Sequence, residues 1–336
     1  MAMEKTELRL DPLSQEWTVF SEGRALPPAF GAVTGEKFDA SPFRAGLERF
    51  ASHSLYQDGG SFGWQVRVVP NRAPILRVEG DHVKNGEGFY EHMDGVGAHE
   101  IVIEDPGERR FEELAMDDLG RVIGAWRARI EDLMRDGRLR AFTVVKNTGR
   151  AAGQSVGHSV SQVLALAIVP PTLRRKLDSA RDYFAKKKRS LFADLLEEEQ
   201  RRATRIVHEN AGFVVFCPYA SGAPFEMAVW PKRQSADFHH AGGEEITLLA
   251  DALRSVLAKL NRALDHPAWN LTLTTAPSRT SLTNEWTTLD EDFRWHISIV
   301  PRLHPTGGFE MATGCHVNGV WPEAAAEFLR SQGVQP

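Results

Sequence analysis

The 336-residue chain contains only two cysteines, Cys217 and Cys315. Two thiols cannot build a disulfide framework or a four-thiolate zinc site, and both lie in or beside apolar stretches, which reads as buried free thiols. No apolar run approaches the ~18 residues needed to span a bilayer. The opening segment MAMEKTELRLDP lacks an apolar signal core, so a cytoplasmic protein is expected. Positive charge is not in excess either, since 40 Lys and Arg stand against 45 Asp and Glu for a net charge of −5. That balance gives no electrostatic reason to expect nucleic acid or an anionic membrane as partner. Low-complexity segments and short repeats are missing too. What remains, 42% hydrophobic and 25% charged residues, suits a globular protein of one large domain or two ordinary ones.

Strand-like segments come in two sets. In the first, GWQVRVVPN, AHEIVIEDP, RAFTVVKN and SQVLALAIVP alternate or run apolar between Gly, Pro and Asn. Between the second and third, Leu119, Val122, Ile123, Trp126, Ile130 and Leu133 recur at three- and four-residue spacing and predict an amphipathic helix, with Asp117 as its cap. Asp136-Gly137 ends it, and Pro170-Pro171 close the half. A charged helix is predicted from about Thr172 to Arg205, with the basic run Lys186 to Arg189 on a solvated face. GFVVFCPY, FEMAVWP, LTLTTAP and RWHISIVP then repeat the strand pattern around a helix from about Gly243 to Leu264. This order predicts an antiparallel α+β fold built twice, over residues 1–170 and 171–336.

The densest run of small and polar residues is KNTGRAAGQSVGHSVSQ, Lys146 to Gln162. Gly149 and Gly153 permit close backbone approach to a ligand, and Asn147, Ser155 and Gln162 can hydrogen-bond phosphate or sugar oxygens. By itself such a connection between strands is more often structural than functional.

Asn147, Gly149, Gly153, Ser155, His158 and Gln162 match, at matching spacing, the signature Asn-x-Gly-x-x-x-Gly-x-Ser-x-x-His-x-His-x-Gln. In this the chain resembles the galactose-1-phosphate uridylyltransferase family. RLDPLSQEWTVFSEGRALPP, VRVVPNRAP, AHEIVIEDP and PYASGAPFEMAVWPKR are similar to further family segments in the same order. WHISIVPRLHPTGGFEMATGCHVNGVWPE reads most like the ADP-glucose phosphorylase branch. The resemblance implies two tandem histidine-triad-like domains and a nucleotide or nucleotide-sugar ligand, and it allows a homodimer. Carried over by position, Asn71 and Asn147 contact ribose or phosphate, Gly153, Ser155 and Gln162 line the phosphates, and Glu310 contacts the sugar or second substrate.

Family enzymes transfer a nucleotidyl group through the second histidine of His-x-His. Here the segment is His158-Ser159-Val160-Ser161-Gln162, so an alkyl side chain with no lone pair stands at the nucleophile's position. His158 is the remaining catalytic candidate, but residues two apart on a strand lie about 6–7 Å apart. Attack needs reacting atoms within roughly 3–3.5 Å. In many relatives this histidine binds zinc, together with a Cys-x-x-Cys that is Ser41-Pro42-Phe43-Arg44 here and a histidine that is Glu108. No metal and no cofactor are therefore expected, and an Arg44–Glu108 ion pair is a conceivable replacement. His239-His240 reads as an exposed loop, and His296 lies on a strand where some relatives bind a second metal. Three readings stay open: an enzyme working by single displacement, a non-catalytic nucleotide-sugar binder, and a paralogue of altered reaction type.

Overall fold

Alternation along the strands decides the layers. Val66, Val68, Val102, Val144, Val163, Leu271, Leu273, Ile297 and Ile299 are all essentially buried and point to one side. Their neighbours in sequence face the other. The computed structural model describes residues 6–21, 38, 41–46, 53–60, 63–81, 83–279 and 285–333. In chain order the elements are β1 (Thr6–Leu10), β2 (Trp17–Ser21), β3 (Tyr56–Gly60), β4 (Gly63–Pro70), β5 (Asn85–Glu87), β6 (Tyr90–His92), β7 (Gly97–Ile103), α1 (Met116–Leu133), β8 (Ala141–Thr148), β9 (Val160–Leu166), α2 (Pro171–Lys187) and α3 (Leu191–Arg202). They continue with β10 (Ile206–Glu209), β11 (Phe213–Phe216), β12 (Met227–Pro231), α4 (Gly243–Leu264), β13 (Trp269–Thr274), α5 (Leu289–Asp292), β14 (His296–Pro301), α6 (Gly308–Thr313), β15 (His316–Asn318) and α7 (Pro322–Ser331).

Ten strands form one antiparallel sheet in the order β10-β11-β12-β14-β13-β8-β9-β7-β4-β3. From the middle outward each side runs through the same succession, β8-β9-β7-β4-β3 and β13-β14-β12-β11-β10. The two five-stranded units are therefore not separate sheets. β8 and β13 pair along six residues, Trp269↔Thr148 to Thr274↔Thr143. Pairing satisfies two edges that would otherwise present unbonded backbone to water.

One face packs against α1, α4 and α7 in a continuous apolar core. α1 buries the stripe the sequence predicts, including Leu119, Val122, Ile123, Trp126 and Ile130. Each fully buried aliphatic or aromatic side chain of this kind contributes about 1.5–3 kcal/mol. Trp126 satisfies its indole by donating to Ser161 Oγ at 2.7 Å. The helix begins after Ala115, which makes no side-chain cap, so Asp117 is a first-turn residue instead of the predicted cap. There its carboxylate complements the partial positive charge of the helix start.

The long charged helix predicted over 172–205 is two helices. α2 stops at Lys188, which adopts a left-handed conformation (φ 56°), and Ser190 then caps α3 by accepting from the Ala193 amide. The break lets Leu173 and Leu177 of α2 and Phe192 and Leu196 of α3 pack together over the sheet's other face, against Phe216, Trp230 and Phe293. Lys186 to Arg189 sit exposed at this corner. A small sheet of β1, β2 and β15 lies apart, with β15 parallel to β2. Cys217 is buried and Cys315 half-buried, and both are free thiols. Among the described residues no helix is long and apolar enough to cross a membrane.

Candidate functional site

The side of β9 away from α1 carries Val160 and Gln162. Register places Ile103 opposite Val160, and Ile101 and Val145 opposite Gln162. Trp64, Val69, Ile101 and Ile103 make a small apolar cluster there, with Phe43 and Val160 packed on it. Beside that cluster opens a cavity of about 290 Å³, walled by Asn71, His99, Ser155, Val160 and Gln162. Three of the residues expected to bind a ligand, Asn71, Ser155 and Gln162, therefore share one cavity with Val160.

His99 was not singled out by the sequence, and it organises this wall. The Ile75 amide donates to its Nδ1 at 3.2 Å, which assigns the ring proton to Nε2. Nε2 then donates to Gln162 Oε1 at 2.6 Å. With its carbonyl taken, the Gln162 amide turns its NH2 group elsewhere, and no protein acceptor among the described residues meets it. An unspent donor on a cavity wall suits an anionic oxygen. Asn71 Nδ2 sits 3.0 Å from His99 Nε2, and its Oδ1 accepts from the Ala73 amide in a local turn.

The loop between β8 and β9 needs its glycines. Gly149 has φ 84° and Gly153 φ 88°, conformations that strain any residue with a Cβ. Asn147 leaves the end of β8 toward a second, smaller cavity of about 190 Å³, shared with Glu108, Arg109, Lys146, His158 and Ser159. Its Oδ1 accepts from Asn270 at 2.7 Å, and the same Asn270 amide reaches the Ala152 carbonyl at 2.8 Å, so β13 holds the loop. Beneath it, Lys146 Nζ lies 2.6 Å from Glu104 Oε2, and Ser159 donates to that oxygen at 2.5 Å.

His158 is 1% exposed and lies against Phe43. Its Nε2 donates to the Asp105 carbonyl at 2.7 Å, and burial holds its pKa below the ordinary histidine value. Nδ1 is buried without a hydrogen-bond partner among the described residues. The residue is thus a fixed neutral imidazole that does not wall the Val160 cavity.

The donor set implied for zinc does not fit that metal. Arg44 donates from Nε to Glu108 Oε1 at 2.8 Å, so the two positions meet as the sequence suggested they could. Both side chains are half exposed, and such a pair contributes little stability. A guanidinium on the carboxylate, beside Ser41 and a histidine, is not a tetrahedral set of soft donors. Among the described residues no three His, Cys, Asp or Glu side chains group as a metal site.

The remaining candidates lie elsewhere. Glu310, on α6, accepts from the Gly307 amide at 2.9 Å and lines a cavity of the second half, not the one containing Gln162. His296 opens β14, is 2% exposed, and faces Lys176. His240 is exposed, whereas His239 is half-buried in a short turn, its Nδ1 without a partner among the described residues.

No family model matches the chain. An ADP-glucose phosphorylase from Arabidopsis thaliana is 31% identical over 333 residues, covering 96% of this chain and 92% of that protein. The galactose-1-phosphate uridylyltransferase of Thermotoga maritima is 23% identical over 338 residues, covering 98% and 99%. The crystal structure of an ADP-glucose phosphorylase from Arabidopsis thaliana with bound ADP-glucose superposes with a TM-score of 0.83 at 28% identity, covering 98% of this chain and all of that one. In sequence and in fold, over nearly its whole length, the chain belongs to the galactose-1-phosphate uridylyltransferase family of the histidine-triad superfamily.

Proposed function

We propose that the protein binds a nucleotide sugar in the Val160 cavity and transfers its nucleotidyl group by single displacement, without a histidine-bound intermediate. The observation that carries this reading is the cavity itself, in which an unspent Gln162 amide and Ser155 face a valine instead of a nucleophile. An acceptor oxygen would bond to the α-phosphorus as the bond to the departing sugar phosphate breaks, inverting phosphorus once. Gln162, Ser155 and the loop amides would stabilise the charge that develops. Relatives that act on nucleotide sugars, one of them with ADP-glucose bound, make ADP-glucose the first ligand to try. We also take residues 1–170 and 171–336 as the two copies of an internal repeat, and a homodimer as the form to test by sedimentation.

Calorimetry with UDP-, ADP-, GDP-, CDP- and TDP-sugars tests the reading. At least one is expected to bind, and Gln162→Ala to weaken it by about 1.5–3 kcal/mol through loss of a hydrogen bond to a charged group. No heat at millimolar ligand would remove the nucleotide-sugar assignment. One observation favours a non-catalytic binder instead. His99, the histidine on this wall, has both ring nitrogens engaged and so offers no free lone pair as a general base. Turnover of the bound sugar nucleotide, or its absence, separates the two.

Metal content follows from the Arg44–Glu108 pair. Elemental analysis of purified protein is expected to give well under one zinc per chain, and chelators to leave the Tm unchanged. A stoichiometric zinc signal would mean that ligands other than Ser41, Arg44, Glu108 and His158 hold it.

A further inference from the structure

A carboxamide presents donors on one side and an acceptor on the other, and half a turn of its last torsion exchanges them. Two carboxamides, Asn71 and Gln162, stand on the wall of the Val160 cavity, and one imidazole touches both. We propose that His99 is a positioning residue of this cavity, holding both amides with their NH2 groups free for a ligand group that only accepts. That this group is a phosphate rests on the proposed function, whereas the orientation of the amides does not.

Register brings the ring there. β7 and β9 pair His99 with Leu164 and Ile101 with Gln162. His99 and Gln162 are therefore diagonal neighbours on one face, a spacing that two long side chains can bridge. The segment after β4 then sets the ring's proton. The Asn71 amide donates to the His99 carbonyl at 2.9 Å. Arg77 is tied to the start of β7 through the Gly95 carbonyl at 3.0 Å and the Gly97 amide at 2.8 Å. Between these anchors the Ile75 amide meets Nδ1, which is therefore the lone-pair nitrogen, and the neutral ring carries its proton on Nε2. With the proton on Nδ1 instead, a bare Nε2 would draw the Gln162 NH2 group to itself and turn the carbonyl toward the cavity.

Asn71 is held by the face of the same ring. Its Oδ1 is spent on the Ala73 amide, and its Nδ2 lies 3.0 Å from Nε2 and 3.4 Å from Nδ1. A group so near both nitrogens stands over the ring edge between them and not along a lone pair, so it does not compete with Gln162 for the Nε2 position. Both amide oxygens are thus engaged. Arg72 and Ser155, exposed on the same cavity, add a guanidinium and a hydroxyl. A wall built this way suits a phosphate oxygen and disfavours a group that must donate, such as an ammonium. His99, 9% exposed, acts through the two amides.

Nitrogen NMR and calorimetry on the full chain provide the test. Wild-type spectra are expected to show His99 protonated at Nε2 and bare at Nδ1. The Gln162 NH2 signal, assigned by its loss in Gln162→Ala, should shift when ADP-glucose is added. His99→Phe keeps a ring without the donor and is expected to weaken ADP-glucose binding about tenfold. His99→Gln, whose own NH2 can reach the Nε2 position, should stay within about threefold of wild type. A proton on Nδ1, or a Gln162 NH2 signal that His99→Phe leaves in place, overturns the positioning role whether or not any nucleotide binds. Equal affinity in wild type and His99→Phe overturns it too, as does an equal loss in both variants, which would make the ring structural only. If His99→Phe does not fold, the wild-type protonation site decides. Absence of nucleotide-sugar binding to the wild type counts against the proposed function alone, and the spectra still settle how Gln162 is held.

Discussion

Val160→His, incubated with radiolabelled ADP-glucose, is expected to acquire an acid-labile nucleotidyl label that the wild-type chain never carries. The alkyl side chain of Val160 has no lone pair, so no rotamer or protonation change lets it attack phosphorus. An imidazole there would stand on the cavity wall shared by Asn71, Ser155 and Gln162. Its ring nitrogen would bond to the α-phosphorus as glucose 1-phosphate departs, and a later acceptor would release the nucleotide. The larger ring must fit against Phe43, Ile101 and Ile103, at a cost of about 1–3 kcal/mol for overpacking. Mass spectrometry locates any label. A nucleotidyl group found on the wild-type protein, on His158 or elsewhere, would falsify the claim that covalent transfer is lost. If Val160→His binds ADP-glucose yet stays unlabelled, the ligand lies in a different pose and the altered-reaction reading gains. Wild-type transfer, where it occurs, should show sequential kinetics and inversion at phosphorus.

Lys146→Met is expected to destabilise the fold by about 3–5 kcal/mol, the cost of leaving a buried charge without its partner. Lys146 and Glu104 are 3% and 0% exposed at the side chain, and their 2.6 Å contact is reinforced by Ser159. The ammonium also reaches Ser159 Oγ at 3.1 Å and the Val160 carbonyl at 3.3 Å. Without it, the Glu104 carboxylate keeps the Ser159 hydroxyl, and its Oε1 has no partner among the described residues. Urea denaturation measures the loss. Adding Glu104→Leu should recover part of it, because replacing both partners removes the stranded charge. A loss under about 1 kcal/mol for the single variant would mean that water reaches the pair, as for exposed ion pairs. Since this cluster underlies the start of β9, nucleotide affinity should fall alongside stability.

Much of this molecule is written locally. Period-two alternation or a continuous apolar run located β4, β7, β8, β9 and β11 to β14, because a strand hides one face from water or, as in β7, β11 and β12, both. The apolar stripe of α4 gave Gly243 to Leu264 to the residue, since a 22-residue amphipathic run leaves few alternatives. The glycine-rich loop was legible from its composition, and Val160, at the position the family resemblance gives to the nucleophile, from one letter. The break between α2 and α3 was not legible. Residues 172–205 favour helix throughout, and the left-handed turn at Lys188 is stabilised only when both helices meet the aromatic cluster around Trp230.

The rest was decided by contacts between distant parts of the chain. His99 meets Gln162 across 63 residues, Arg44 meets Glu108 across 64, and Lys176 meets His296 across 120. The β15–β2 pairing joins residues about as far apart as the chain allows. None of these partners leaves a periodic trace, because a single side chain contributes nothing to a hydrophobic repeat. Alone, the sequence located eight strands of the large sheet and the helices α1 and α4, and it carried the family resemblance. Only the tertiary structure decided that two five-stranded units share one sheet, and that His99 takes the Gln162 carbonyl and leaves its NH2 group without a protein acceptor among the described residues. Local patterns record which face a strand must bury, whereas a site is made where strands from far along the chain converge.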